Sequence, residues 1–498
     1  MPLDAPVTSA DVNGYVVMTT GYAPAPYDGA VRRLTLAVAV FTTALVLAAC
    51  GDGIDERYDA AAPQPVVTEA QTTTTTTVRL GQPAVASSRV TVKNTRATYS
   101  GARSSLHLAD GSWLLTGYDN HTEAQPEPGA VWKTTDLATF TRVGKGISDQ
   151  DNQQSLSGLA QLGDTVVAVG TNFARNDVNV SSIPDLASAL FDADSWYSTD
   201  GGATFKEVSL AHDASAAGVT VIDGALWAYG YRIVAGTLQG AMWTSTDKGR
   251  SWTATEPLAA PGIGRPPQPM GPLSNVLTWG DSLVAIGLTS ATDPDGASRP
   301  LDKQAMAYGV YAGDAVDVGI WLSADHGTTW RATNPDEITG VRGAQYVVAA
   351  AIVGDNLVLL GAAPDPTAVS GLPTGTDTLS SFLPSGASGF QSVLWTCDYQ
   401  LTRCSPHVLF HDSVDVVAGD MVASGRLVVA AVTTFDFTSG TLGGHVVYAD
   451  PVSGRSTSAT VGGQIEQIET VAVDAKGVIL FGRSPTTNRV QVARVPAP

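Results

Sequence analysis

Arginine is the side chain that most directly suggests chemistry in this sequence, because its planar guanidinium binds a carboxylate through two parallel hydrogen bonds. Four arginines fall beside short apolar runs, at positions expected to be loops: Arg103, Arg232, Arg342 and Arg483. Tyr118 and Asp119 directly follow another such run. We predict that these six residues lie on one ligand-binding face.

No catalytic residue, metal ligand or cofactor site can be assigned from the sequence. No tyrosine–glutamate couple, Ser-His-Asp arrangement or phosphate-binding glycine loop is recognisable. Asp293-Pro-Asp295-Gly296 resembles part of a calcium loop, but the glutamate that such loops use is not at the required spacing. His407 and His411 are four residues apart, and in a strand-rich segment that spacing does not fix a common ligand.

Cys50 is the first of three cysteines and marks the expected site of membrane attachment. Arg32 and Arg33 precede the apolar run 34–47, and small residues follow, as in a secretory signal. The ending Leu47-Ala-Ala-Cys50 resembles the lipobox of bacterial lipoproteins, which implies a diacylglyceryl Cys50 at the mature N-terminus. An uncleaved anchor is the alternative, although the run is short for a spanning helix.

The first thirty residues fit poorly in front of that signal. They contain three aspartates and no positive charge, so translation could start at Met18 or Val31. We therefore expect a signal segment over 1–49 and a flexible Thr/Pro/Ala-rich stalk over 50–84. The remaining residues, 85–498, form the folded domain, which we expect to lie outside the cytoplasmic membrane.

Cys397 and Cys404 are separated by one short segment. In an oxidising extracytoplasmic space two such neighbours are expected to pair. Their bridge would close a hairpin turn that lacks other turn-closing residues. Two free thiols are the alternative.

One eight-residue phrase occurs three times, over 198–205, 245–252 and 323–330. Its pattern is Ser-x-Asp-x-Gly-x-Ser/Thr-aromatic. The aspartate can accept hydrogen bonds from backbone N–H groups, the glycine can adopt positive φ, and the aromatic can fold back as an apolar plug. We predict a framework role for all twelve pattern residues: Ser198, Asp200, Gly202, Phe205, Ser245, Asp247, Gly249, Trp252, Ser323, Asp325, Gly327 and Trp330.

This phrase resembles the Asp-box, or BNR repeat, of sialidase-type β-propellers, a group that also includes sortilin-type receptors, photosystem assembly factors and xyloglucan-degrading enzymes. The resemblance covers roughly residues 85–498 and implies that the boxes lie on the rim, away from the ligand. Sialidase chemistry in this family uses three arginines, a tyrosine helped by a glutamate, and an aspartate. The Phe/Tyr-Arg-Ile-Pro motif of sialidases is missing, and Tyr231-Arg232-Ile233-Val234 is a partial echo of it.

A second repeat defines the blades. A Gly or Asp turn precedes a short apolar strand that usually ends in glycine, as in Gly111 to Gly117 and Asp164 to Gly170, and seven copies occur. We predict an all-β, seven-bladed propeller of four-stranded antiparallel blades, with six or eight blades as alternatives. The segment Arg89–Lys93 is expected to complete the last blade and close the ring.

Long loops are expected on the face formed by the turns between second and third strands and between successive blades. They span 171–194, 257–272, 288–318 and 362–389.

The formal charge of −19, without a basic stripe, argues against nucleic acid as a partner. We expect non-catalytic binding of a protein or carbohydrate ligand; the alternatives are a sialidase-type exo-glycoside hydrolase and an extracytoplasmic assembly factor.

Overall fold

The structure, a computed structural model, describes residues 8–11, 15–18, 83–88, 91–93, 99–120, 129–147, 154–173, 191–235, 237–255, 258–259, 268–290, 316–333, 345–364, 390–399, 401, 403–410, 414–436, 441–461, 465, 467–483 and 489–496. These residues form strands, turns and irregular segments, and no helix among them is long and apolar enough to cross a membrane. Cys50, the apolar run 34–47 and residues 51–82 of the stalk lie outside the described residues, so the signal, lipid and stalk predictions stay predictions.

Seven sheets form the blades, each with four antiparallel strands A to D, and the sheet of blade one has a fifth strand in addition. Strands A, B and C follow one another in chain order in every blade, and in six blades strand D follows them. The strands of blade one are Tyr99–His107, Trp113–Asn120, Gly129–Thr134 and Thr139–Val143. Those of blade two are Gln154–Leu162, Thr165–Asn172, Asp192–Ser198 and Lys206–His212. Those of blade three are Ala214–Ile222, Ala225–Val234, Thr237–Ser245 and Thr253–Thr255.

The remaining blades repeat this order. Blade four contains Leu273–Trp279, Ser282–Ser290, Val316–Ser323 and Arg331–Ala332. Blade five contains Tyr346–Val353, Asn356–Pro364, Phe390–Cys397 and Cys404–Phe410. Blade six contains Val414–Ser424, Leu427–Asp436, Thr441–Asp450 and Arg455–Thr460. Blade seven contains Gln467–Asp474, Gly477–Arg483, Val490–Val495 and, from the other end of the chain, Ala86–Ser88.

The remaining strands are Thr91–Lys93 and two small hairpins. The hairpins are Thr8–Asp11 with Tyr15–Met18, and Leu258–Ala259 with Gln268–Pro269. The prediction of seven four-stranded blades is thereby confirmed. Six and eight blades are excluded.

The ring is closed by an N-terminal strand, as predicted, but by different residues. Ala86–Ser88 pairs with Val490–Val495 and is strand D of blade seven. Thr91–Lys93, inside the predicted segment, instead pairs parallel to Thr139–Val143 and adds a fifth strand to blade one. The prediction rests on Arg89–Lys93 lying before blade one without another partner in the sequence, whereas Thr91–Lys93 finds a partner in blade one because backbone pairing at an edge is set by tertiary position.

The core lies between neighbouring blades. Trp132 and Phe140 of blade one pack with Ile479 and Phe481 of blade seven in one buried cluster. Trp196 of blade two belongs to the cluster shared with blade one. Each buried aromatic therefore stabilises the contact between two blades.

The repeated phrase forms capped turns between strands C and D. Asp325 Oδ1 accepts hydrogen bonds from Ser323 Oγ and the Thr329 N–H, both at 2.8 Å, and its Oδ2 accepts from Thr329 Oγ1 at 2.6 Å. The hydrogen bonds from Thr329 and Ser323 lower the pKa of Asp325 to about 2. Gly327 has φ of +83°, which a residue with a side chain adopts only at a cost.

The three aromatic plugs are not equally buried. Trp330 is 1% exposed and its Nε1 donates to the Gly327 carbonyl at 3.1 Å. Phe205 is also buried. Trp252 is only partly buried against its cluster.

Blade one contains a shortened copy of the same turn. Thr134 Oγ1 donates to Asp136 Oδ1 at 3.1 Å, and the same oxygen accepts from the Thr139 N–H at 2.7 Å. Phe140 then provides a buried plug. One residue fewer separates the aspartate from the plug, which is why the eight-residue pattern misses this copy.

In blade five a disulfide closes the equivalent turn. Cys397 and Cys404 are bonded, with their Cα atoms 3.9 Å apart, so the predicted pairing is confirmed. Both cysteines and Leu401, which lies between them, are buried in the cluster shared with blade four. The bridge thus closes the C–D turn of this blade, as the capped aspartate does in blades one to four.

Candidate functional site

A β-bulge interrupts the innermost strand of every blade at the same position. Such a bulge re-aims one side chain without breaking the sheet. The bulged residues, from blade one to blade seven, are Arg103, Ser157, Ala217, Ser274, Val348, Val417 and Glu469. Charged residues occupy this position only in blades seven and one, which are neighbours in the ring.

The glycine that recurs in strand B of most blades lies opposite the bulge in strand A. A Cβ atom at Gly117, Gly170 or Gly230 would overlap a strand A carbonyl oxygen. The repeated glycine therefore permits close approach of the two inner strands. The residue after it in blade one, Tyr118, pairs in register with Gly101 of strand A.

Three side chains meet where blades seven and one join, and we call Arg103, Tyr118 and Glu469 the seam site. Tyr118 Oη donates to Glu469 Oε1 at 2.9 Å, and the backbone N–H of Ala102 donates to Glu469 Oε2 at 2.5 Å. The guanidinium carbon of Arg103 lies 5.2 Å from the centre of the Tyr118 ring. Arg103 also donates to Ser155 Oγ of blade two, so the seam site spans three blades.

Tyr118 reaches Glu469 by lying across Gly101. A Cβ atom at position 101 would overlap the phenol oxygen and the ring carbon that carries it. The Tyr118 side chain is 4% exposed, so its ring has little room to move aside. The phenol is therefore held in hydrogen-bond contact with the carboxylate.

The other predicted face residues are placed differently. Asp119 is buried and its Oδ2 accepts from Arg142 at 2.9 Å. Arg483 donates to Gln467 Oε1 at 2.8 Å in blade seven. Arg232 pairs in register with Ala214 and Gln239 in blade three.

Arg342 lies outside the described residues. The structure thus brings Arg103 and Tyr118 together. It places Asp119 in an ion pair with Arg142.

Glu469 was missed in the sequence, and with it the tyrosine–glutamate couple. The two residues are 351 positions apart, so no local motif connects them. A signal was nevertheless present. Counting back thirteen or fourteen residues from the glycine position at the end of each strand B reaches the bulged residue in every blade, including Arg103 and Glu469.

A second polar cluster lies in blade two. The Asp194 and Glu207 carboxyl groups are hydrogen-bonded to each other, and Asn172 Nδ2 donates to both, at 2.8 and 3.2 Å. Gln154 Nε2 and Trp196 Nε1 each donate to Glu207 Oε2 at 3.3 Å. Burial, assisted by the neighbouring Glu207 charge, raises the pKa of Asp194 to about 7.

Metal chemistry finds no support in the described part of the chain. No group of three or more His, Cys, Asp or Glu side chains is placed to hold an ion there. The residues of the seam site can supply hydrogen bonds, charge and proton transfer between a phenol and a carboxylate.

Known structures with a similar arrangement include carbohydrate-active propellers. A Trypanosoma rangeli sialidase bound to the inhibitor DANA is 13% identical with a TM-score of 0.44, and the match covers 71% of this chain and 58% of the sialidase. A Bombyx mori GH32 β-fructofuranosidase is 12% identical with a TM-score of 0.34, covering 81% and 91%. A Fusarium graminearum α-L-arabinofuranosidase is 10% identical with a TM-score of 0.35, covering 84% and 98%.

These similarities are too distant to inform on activity, and the architecture rests on the sheet pairing itself. No protein-family model matches this sequence, and no curated protein is similar to it. The fold alone hosts many unrelated functions. Any function has to be argued from the seam site.

Proposed function

We propose that this protein binds a carbohydrate through the seam site, on the face formed by the B–C and D–A loops. The observation that carries the proposal is the meeting of Arg103, Tyr118 and Glu469. A cation, an aromatic ring and a carboxylate supply the donors, acceptors and apolar surface that sugar hydroxyls and rings require. Equivalent positions in blades five and six are Val348 and Val417, which offer no such chemistry.

A glycan array tests this proposal on the full-length protein in detergent micelles. Tyr118→Phe removes only the phenol oxygen, and Arg103→Gln removes the cation. Both are expected to lower binding at least tenfold, since each removes a contact worth about 1.5 kcal/mol or more. A matched control is Arg250→Gln, whose guanidinium lies 5.7 Å from the Tyr197 ring on the opposite face. Equal losses from all three changes would reject the seam site.

A second candidate function, hydrolysis of the sialidase type, is favoured by one distance. With Tyr118 Oη 2.9 Å from Glu469 Oε1, the carboxylate can accept the phenol proton and so generate a nucleophile. The same pair is what the Asp-box resemblance requires. Of the predicted arginines, Arg103 contacts this pair. Tyr118 is only 4% exposed, however, which leaves its phenol little access to a substrate. We therefore place carbohydrate binding first.

A fluorogenic sialoside distinguishes carbohydrate binding from hydrolysis of the sialidase type. Binding without turnover is expected. Turnover that disappears in both Tyr118→Phe and Glu469→Gln, while Arg250→Gln retains it, would assign the hydrolase instead.

We further propose that the propeller belongs to the Asp-box group and is anchored outside the membrane by a lipid on Cys50. The support is the three capped turns, together with the lipobox-like ending. Cys50→Ala is expected to shift the protein from the detergent phase to the aqueous phase in a phase-separation assay. A variant that still partitions with detergent would refute lipid attachment at this residue. A role as an extracytoplasmic assembly factor has no observation that favours it.

A further inference from the structure

We propose that two side chains of blade six, Thr433 and Asp420, are positioning residues for Glu469 of the seam site. Each holds the backbone of blade seven directly beside Glu469 and so determines where the Glu469 carboxyl group points. The effect on ligand binding rests on the proposed function, whereas the placement of Glu469 is testable without a ligand.

Glu469 takes its direction from its two neighbours in the strand. The register of the ladder with strand B shifts between Ile468 and Thr470, which makes Glu469 the bulged residue. At a bulge the strand bends locally, so the direction of the bulged side chain depends on how the flanking residues are held. Since Glu469 is partly exposed, water competes with Tyr118 for its carboxyl group. The attachments of Ile468 and Thr470 therefore matter for the geometry of the seam site.

Thr433 holds the residue before Glu469. The Thr433 Oγ1 atom accepts a hydrogen bond from the Ile468 N–H at 2.7 Å and donates one to the Ile468 carbonyl at 3.0 Å. Thr433 and Ile468 are both fully buried, so water does not compete for these hydrogen bonds. One hydroxyl group thus engages both backbone polar groups of Ile468 and fixes this residue against blade six.

Asp420 holds the two residues after Glu469. Its Oδ2 accepts hydrogen bonds from Thr470 Oγ1 and from the Val471 N–H, both at 2.8 Å. Its Oδ1 accepts from the Met421 N–H at 2.7 Å, which orients the carboxyl group within blade six. Glu469 therefore lies between two attachments to the preceding blade, one on each side of the bulge.

The effect of blade six extends through Glu469 into blade one. Glu469 accepts hydrogen bonds from Tyr118 Oη and from the backbone N–H of Ala102. Ala102 directly precedes Arg103, the bulged residue of blade one. A displaced Glu469 would therefore release the phenol and the backbone beside Arg103 together. Blade six thus acts on the seam site without contributing a residue to it.

A double-mutant cycle on the full-length protein tests the placement of Glu469 without a ligand. Thr433→Val keeps the shape of the side chain and removes the hydroxyl group. In that background, the shift of the urea midpoint caused by Tyr118→Phe is expected to shrink to about half or less, because the phenol has already lost its aligned partner.

The matched control is Thr434→Val, in the next residue of the same strand. Thr434 is 3% exposed, and its hydroxyl group donates to the Gly443 carbonyl within blade six, at 3.2 Å. Tyr118→Phe is expected to shift the urea midpoint by the same amount in the Thr434→Val background as in the wild type. Thr433→Ser, which keeps the hydroxyl group, is expected to behave in the same way.

Asp420→Asn is the second variant, and it carries the same test if Thr433→Val does not fold. Its amide has one acceptor oxygen, so it cannot accept hydrogen bonds on both sides as the carboxyl group does. The effect of Tyr118→Phe is expected to shrink in this background as well.

Glycan binding by the same variants tests the consequence for the seam site. The probe is the array glycan that gives the strongest signal with the wild type. Thr433→Val and Asp420→Asn are each expected to lower its affinity by about two- to tenfold, the fold-change that corresponds to one hydrogen bond. Thr433→Ser and Thr434→Val are expected to keep the wild-type affinity.

The outcomes separate this inference from the proposed function. Additive effects of Tyr118→Phe and Thr433→Val on the urea midpoint, or the same loss of additivity with Thr434→Val, would overturn the positioning role. Full glycan affinity in folded Thr433→Val and Asp420→Asn would also overturn it. A wild type that binds no glycan, together with a non-additive cycle, would reject carbohydrate binding and leave the placement of Glu469 by blade six standing.

Discussion

Gly101→Ala is the most direct perturbation of the seam site, because it adds one methyl group where the Tyr118 ring crosses strand A. That methyl would overlap the phenol oxygen, so the ring has to move away from Glu469. The glycine thus acts as a positioning residue for the tyrosine. Gly218→Ala is its matched control, since a Cβ there would likewise overlap the Tyr229 oxygen, in blade three.

The magnitude follows from the contacts that Tyr118 makes. Losing a hydrogen bond to a carboxylate, here 2.9 Å long, costs about 1.5–3 kcal/mol. Losing the Arg103 contact at 5.2 Å costs about 0.5–2 kcal/mol more. Gly101→Ala is therefore expected to lower the free energy of unfolding by roughly 2–5 kcal/mol, with the steric cost of the methyl in addition.

Two measurements distinguish displacement of the Tyr118 ring from a general loss of stability. Urea unfolding followed by tryptophan fluorescence gives the stability of both variants, and carbohydrate binding is then measured on the folded protein. Both variants are expected to be destabilised, and only Gly101→Ala is expected to lose binding at least tenfold. Full binding by Gly101→Ala, or equal loss in Gly218→Ala, would refute the assignment of Tyr118 to the ligand face.

Three further predictions concern the turns that hold the blades together. Trp330→Ala is expected to lower the free energy of unfolding by about 3–5 kcal/mol and Trp252→Ala by about half as much, because only the first is fully buried; equal losses in urea unfolding would contradict this. Asp247→Ala is expected to lower the free energy of unfolding by about 1–2 kcal/mol at pH 7. The difference between wild type and variant should shrink as the pH falls from about 4 to about 2. The reason is that burial raises the pKa of Asp247 but its hydrogen bonds outweigh that effect and lower the pKa to about 2. Replacing Cys397 and Cys404 with serine is expected to lower the free energy of unfolding by about 2–3 kcal/mol. Peptide maps of the wild-type protein that show both thiols free would contradict the bridge on which this value rests.

Much of the architecture could be predicted because each blade repeats local chemistry. The capped turn around Asp325 and the paired strands before it depend on residues close in sequence, so their pattern is visible without the fold. The closing strand was misplaced because Ala86–Ser88 has little strand propensity of its own and pairs only where blade seven leaves an open edge.

The seam site could be predicted only in part. The chemistry of Arg103 and Tyr118 and their positions beside apolar runs predict their place in a site. Glu469 is not apparent from local motifs because its partner is at the other end of the chain, and the constant spacing that locates the bulged residue becomes visible only when all seven blades are aligned. Asp194 presents the same difficulty, since its raised pKa depends on burial that only the packed blades create.

The position of the seam site agrees with how the ring is closed. Ala86–Ser88 pairs with blade seven, and Thr91–Lys93, three residues further on, pairs with blade one. One short stretch of chain therefore braces the two blades that contribute Glu469 and Tyr118. A propeller is weakest where its two ends meet, and a contact that depends on a 2.9 Å hydrogen bond across that junction needs both blades fixed. The bracing strand and the seam site thus stabilise the same junction, one at its outer edge and the other at its centre.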